Sequence, residues 1–250
     1  HRPEEHLPGG NGARNYGFRM SQGEYIQWFD SDDLMVAEKL ELKVKAMQEN
    51  DVDFVVSKTK YFNIEKKNAY AYTYESKDIN FINYSTTYLS WFTPDIFLRK
   101  KIITVNQFFF SEKLKAGQEY NFSCKLLLFT NDGMKLDYFL TLRRYHLNTI
   151  GKKRQKDKKL YWKTSFDLHW TTLNELNILN KHLGKYPSYA LFKCIRSYME
   201  SNFSIKLNFK FHKALFKTYG LKTLYFYSAI ISSKIFKKKE FLLAKLKPTA

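Results

Sequence analysis

Gly23-Glu24-Tyr25-Ile26-Gln27-Trp28-Phe29-Asp30-Ser31-Asp32-Asp33 is an apolar run that ends abruptly in three carboxylates. A strand carrying Tyr25, Ile26, Trp28 and Phe29 would be buried on both faces, as in the middle of a parallel sheet flanked by helices. The carboxylates then emerge together at the strand's carboxyl end, where open α/β sheets bind ligands. Asp30 and Asp32 are one residue apart, so they can aim two hard oxygen ligands at one divalent cation while a diphosphate completes its shell. The same Asp-Ser-Asp-Asp also suits a polar turn capping the next helix, a role expected of Asp33 in particular.

Just upstream stands Asn11-Gly12-Ala13-Arg14-Asn15-Tyr16-Gly17, six residues short of Gly23. A helix is expected from about Gly12 to Ser21, opening out of the Gly9-Gly10 turn. Such an end offers free N–H groups to an anion, or the glycines simply allow a tight bend. Arg14 and Asn15 fall in the first turn, where Arg14 could reach a phosphate or pair with a strand-end carboxylate.

Together the two blocks resemble the GT-A glycosyltransferases of family 2, in which a helix of this pattern runs into a metal-binding strand end. The resemblance implies an α/β, Rossmann-related fold: a mixed, mainly parallel sheet flanked by helices, here with a C-terminal helical extension. It implies an enzyme that moves a sugar, with inversion, from a nucleotide-diphosphate donor such as a uridine diphosphate sugar to an acceptor hydroxyl. Manganese or magnesium would be the cofactor, with Asp30 and Asp32 as metal ligands, and Arg14 and Asn15 beside them at the nucleotide-sugar site. Members of the family carry strands for the nucleotide base ahead of this block, so the chain is expected to be incomplete at its amino end.

Weaker echoes continue downstream. Ala116-Gly117-Gln118-Glu119 looks like the family's second acidic motif, whose acidic pair here reads Gln118-Glu119, and by that likeness Glu119 is assigned as general base. Arg144-Tyr145-His146 is similar to the family's late strand end, which implies a diphosphate contact for Arg144 and a metal or diphosphate contact for His146. Between these motifs the alternation of a helix over Glu38 to Asn50 with a strand over Val52 to Ser57 supports an α/β sheet. Residues 58 to 80 read as an insertion or hairpin. In Phe81 to Arg99, the region of acceptor loops in the family, Tyr84, Tyr88 and Trp91 could stack on sugar rings or pack in the core.

The chain of 250 residues carries 42 Lys and Arg against 24 Asp and Glu, a net charge of +18. That balance favours nucleic acid, an anionic membrane surface or a phosphate-bearing substrate. The basic runs lie after residue 150, and so the catalytic domain is expected to span 1–150 and a basic, mainly helical region 151–250, with helix breaks near 184–187, 202–204 and 220. Its amphipathic helices would pack on the catalytic domain or lie on an anionic membrane. Cys124 and Cys194 read as reduced, buried thiols, and the longest late uncharged stretch, Thr223 to Ser233, is eleven residues, too short to span a bilayer. The expected location is cytoplasmic, peripheral on the inner face of the membrane, with a saccharide or lipid-linked acceptor in surface polysaccharide or glycolipid synthesis. A basic nucleic-acid-binding module is the competing class, but no helix-turn-helix, zinc-finger or RNA-recognition signature supports it, and nucleic acid is not an expected partner. A catalytically inactive fragment of the same fold is the other alternative.

Overall fold

The computed structural model describes residues 3–62, 78–86, 89–145, 154, 156–236 and 239–248. It divides into two compact units, His1–Thr149 and Ile150–Ala250.

The first unit runs α1 (Gly10–Met20), β1 (Tyr25–Ile26), β2 (Leu34–Met35), α2 (Lys39–Asn50), β3 (Phe54–Tyr61), α3 (Phe81–Ser85), β4 (Ile96–Arg99), α4 (Lys100–Asn106), α5 (Gln118–Phe129) and β5 (Gly133–Arg143). The sheet order is β1-β4-β3-β5-β2. The strand buried on both faces is β3, not the Tyr25–Phe29 run: Phe54, Val55 and Val56 are wholly excluded from solvent. Among the described strands β1 pairs only with β4, through Tyr25 and Ile26. Burial therefore alternates along it, with Ile26 and Trp28 inside and Tyr25, Gln27 and Phe29 half-covered.

The sheet is mixed as expected, and three of the four pairings among the described strands are antiparallel. Only β3 and β5 run parallel, joined by a long crossover that includes helices. β4 returns against β3, while β1 and β2 are two-residue strips laid antiparallel along the edges. Ala46 and Met47 of α2 cover Val55, Phe97 and Leu136 on one face of this sheet.

Gly133 opens β5 opposite Phe54, and a Cβ there would lie 2.1 Å from the Phe54 ring. The ring is fully buried and cannot swing aside, so the strand can approach only as glycine. Gly133→Ala is expected to cost about 1–3 kcal/mol of stability by overpacking, read as a lower urea midpoint with unchanged slope. A wild-type midpoint would mean that the ring repacks freely.

The second unit is helical: α6 (Lys158–Ile178), α7 (Tyr186–Glu200), α8 (Phe209–Tyr219), α9 (Thr223–Phe236) and α10 (Glu240–Ala244). Asp157 and Asn208 cap α6 and α8 by accepting the N–H of Leu160 and of Phe211. α6 and α7 pack on each other, and Phe166, Leu173 and Leu176 of the first and Ala190, Leu191 and Ile195 of the second are all buried. Cys124 and Cys194 are buried and unoxidised. Among the described residues no helix is long and apolar enough to cross a membrane.

Candidate functional site

Trp28 fixes the approach to the carboxylates. Its ring meets Phe110 edge-on at 5.1 Å and Phe122 at 5.0 Å, while Phe110 and Phe122 stack at 4.3 Å. Its indole N–H donates to the Arg14 carbonyl at 3.3 Å, which ties the run to α1. Two residues on, the chain turns, with the Asp33 N–H on the Asp30 carbonyl at 3.2 Å. Carboxylate oxygens of Asp30, Asp32 and Asp33 come within 4.8 Å of one another.

Asp33 thus joins the two expected ligands rather than capping a helix; α2 begins six residues later, at Lys39. Asp33 is buried and accepts the Arg144 backbone N–H at 3.0 Å. Burial pushes its carboxyl above the usual range, against the Arg144 hydrogen bond and the Arg143 charge, and the neighbouring Asp32 and Asp30 add to the rise. Three neighbouring carboxylates, with Asp32 exposed, Asp30 half-buried and Asp33 buried, suit a hard divalent cation.

Two arginines answer that charge. Arg14 pairs with Asp30 at 2.6 Å and lies over the Phe110 ring. Arg144, 112 positions from Asp32, donates from Nε to the Asp32 carbonyl at 3.2 Å. Beside them a cleft of about 840 Å³ runs along α1 and the strand end, lined by Gly10, Arg14, Gly17, Gln27, Asp30 and Asp32 among others.

Asn15 does not face this cleft. Its amide is buried and spent, donating to the Phe110 carbonyl and to Glu112 and accepting the Phe110 N–H, so it clamps α1 to the 110–112 segment. Glu112 is likewise engaged, by His6, the Leu7 N–H and Asn15. Tyr84 and Trp91 pack on each other in the core at 4.3 Å, which removes them as sugar-stacking faces. Tyr88 and His146 lie outside the described residues. Glu119 stands half-buried in the first turn of α5 and is not part of the carboxylate cluster.

A buried charged network under the strand end gave no motif to notice, because lysines on an amphipathic helix read as a solvated face. Lys39 Nζ donates to the Pro94 carbonyl at 2.8 Å and to Thr141 Oγ1 at 2.6 Å, and lies 4.7 Å from the Phe29 ring centre. Lys43 Nζ donates to Gln27 Oε1 and the Asp95 carbonyl. The Asp95 carboxylate accepts from Thr59 Oγ1 and the Phe92 N–H. Burial pushes Lys39 down to about 8, Lys43 well below its ordinary range, and Asp95 up to about 6. Gln27 and Phe29, the residues flanking Trp28, are therefore gripped from below.

Parts of the chain are similar to known proteins. Residues 1–111 match the sequence profile of the family described as "Glycosyl transferase family 2". A stretch of 58 residues is 47% identical to an uncharacterised glycosyltransferase of Rickettsia bellii, covering 23% of this chain and 8% of that protein. Another, of 59 residues, is 34% identical to Escherichia coli WfgD, a UDP-Glc:alpha-D-GlcNAc-diphosphoundecaprenol beta-1,3-glucosyltransferase, covering 24% of this chain and 23% of that one. These matches span less than a quarter of the curated relatives' length. Among solved structures, S. aureus TarS 1–349 in complex with UDP-GlcNAc superposes with TM-score 0.57 at 17% identity, over 95% of this chain and 68% of that one. Its complex with UDP gives 0.53 at 17% identity, over 93% and 66%. At that identity the likeness is one of fold, and the fold is GT-A.

Proposed function

We propose that this chain, which carries a family 2 glycosyltransferase region on a GT-A fold, acts as a metal-dependent inverting glycosyltransferase. The observation that carries this reading is the carboxylate cluster of Asp30, Asp32 and Asp33, set at the mouth of a cleft with Arg14 and Arg144 tied to it. Those three carboxylates would hold a divalent cation. When bound, such a cation supplies Lewis-acid neutralisation of a departing diphosphate.

The chain's own groups do the remainder. Arg14, beside Asp30, would offer its planar guanidinium to phosphate oxygens at the α1 end of the cleft. Arg144 holds the turn in register through the Asp32 carbonyl and the Asp33 side chain. Glu119 takes the acceptor proton as the hydroxyl attacks. The donor class is a nucleotide-diphosphate sugar, in keeping with the WfgD name and the ligands of TarS. The acceptor is a saccharide or a lipid-linked saccharide in surface polysaccharide or glycolipid synthesis, reached from the inner face of the membrane.

Asp32→Asn tests the metal. The substitution keeps the side chain's shape on an exposed turn and removes a ligand charge. Manganese-dependent binding of uridine diphosphate, measured by calorimetry, should weaken by about 10–100-fold or more, while the melting temperature moves little. Equal affinity in both proteins would put the cation elsewhere.

A further inference from the structure

The positive charge of this protein belongs almost wholly to one unit. Residues 150–250 hold 22 Lys and Arg against 5 Asp and Glu, a net of +17, whereas residues 1–149 hold 20 against 19. The same unit also exposes large apolar side chains in ordered rows. On α8, Phe209 and Phe216 are two turns apart on one face and 81% and 64% exposed, opposite buried Phe211 and Leu215. On α9, Leu224, Ile231 and Ile235 share a face at i, i+7 and i+11 and are 63%, 58% and 63% exposed, opposite buried Phe226 and Ala229.

α9 is apolar nearly all round, a composition that normally belongs inside a protein or a bilayer. Among its described large or aliphatic side chains, Phe226 and Ala229 alone are wholly enclosed. The two rows are coupled, since His212 of α8 stacks on Tyr227 of α9 and bonds its hydroxyl at 2.9 Å. Exposed Lys210, Lys213 and Lys217 flank the α8 row, and Lys222 and Lys234 stand at the two ends of the α9 row.

We propose that α8 and α9 form a docking face for an anionic lipid bilayer, with the Phe209/Phe216 and Leu224/Ile231/Ile235 rows entering the headgroup–acyl boundary and the lysines meeting lipid phosphates. Charge selects this occupant. A second copy would bring +17 against +17. Nucleic acid would answer the lysines, but isolated Leu and Ile rows gain nothing from base edges or phosphates, whereas hydrocarbon accepts them. The proposal gives the membrane-proximal acceptor reading above a definite surface, and rests on that reading only for where the enzyme works.

The test is flotation of the full chain with vesicles of phosphatidylcholine alone and of an equal mixture of phosphatidylcholine and phosphatidylglycerol. The wild type should float with the mixed vesicles and not with the neutral ones. Leu224→Ser with Ile231→Ser, both at exposed positions, should reduce partitioning by about tenfold or more with an unchanged far-ultraviolet spectrum. Each of Lys210→Gln, Lys213→Gln and Lys217→Gln should reduce it by about fivefold and flatten its salt dependence. Equal binding to both vesicle types, undiminished binding by the apolar double variant, or concentration-dependent self-association that the double variant abolishes would each overturn the proposal. Uridine diphosphate binding measured on the same proteins separates the two readings. Its absence from the wild type would count against the transferase and leave the docking face standing.

Discussion

Glu119→Gln is expected to lower sugar-transfer turnover by about 10²–10⁴-fold while donor and metal binding stay near wild type. The amide is nearly isosteric, and the side chain lies outside the carboxylate cluster, so the substitution removes a proton acceptor and no metal ligand. The position is stiff where a base needs it to be. Gly117 caps α5 at φ +74, a conformation glycine adopts freely, and this sets the direction of the first turn. Phe122, three residues on and on the same helix face, stacks on Phe110 and meets Trp28. Trp28 is also the anchor of the strand end two residues before Asp30, so one aromatic cluster steadies both the proposed base and the proposed metal turn. Gln118→Glu should not rescue the variant, since adjacent positions in a helical turn point in different directions. Normal turnover by Glu119→Gln would remove α5 as the source of the base. Glu112, locked by His6, Leu7 and Asn15, and Asp95, fully buried, are both committed to other partners.

The parts of this molecule legible in the sequence are those written in neighbouring residues. The Gly-Ala-Arg-Asn helix, the Asp-Ser-Asp-Asp turn and the Gly-Gln-Glu helix start are local patterns, and the structure builds each where it was read. Pairing was not legible. Tyr25 to Phe29 is apolar enough for a central strand, yet the ladder gives that place to Phe54-Val55-Val56, because strand position depends on partners far along the chain. Asn15 carried the right neighbours for a ligand contact, but its amide is claimed by Phe110, 95 residues away. Asp33 looked like a cap and became a third carboxylate through the Arg144 N–H, again a contact no local pattern encodes.

Lys39 and Lys43 are the clearest instance, and they carry the second large expected effect. Asp95→Asn should destabilise the protein by about 1–3 kcal/mol, because the buried carboxylate accepts from both the Thr59 hydroxyl and the Phe92 N–H, and an amide with one acceptor oxygen leaves one of those donors unsatisfied. The wild-type pH profile carries the signature of the same network. Burial raises the folded-state Asp95 carboxyl from 3.8 to about 6, so between those values the folded protein holds a proton that the unfolded chain has released, and stability falls as pH rises through that window. Burial lowers Lys39 from 10.5 to about 8, so between pH 8 and 10.5 the unfolded chain holds the extra proton, and stability climbs as pH rises. Stability from this network is therefore lowest between about pH 6 and 8, where both groups are charged. Denaturant titrations across pH should show that dip in the wild type, lose its acid side in Asp95→Asn, and show a shallower alkaline side in Lys39→Met, where Lys43 still contributes. The network also grips Gln27 and Phe29, so Asp95→Asn should weaken manganese binding at Asp30 and Asp32 although it touches neither. An Asp95→Asn protein as stable as the wild type, with an unaltered acid limb, would mean that the carboxylate is not needed by those two donors and that the proton taken up between pH 3.8 and about 6 belongs to another group.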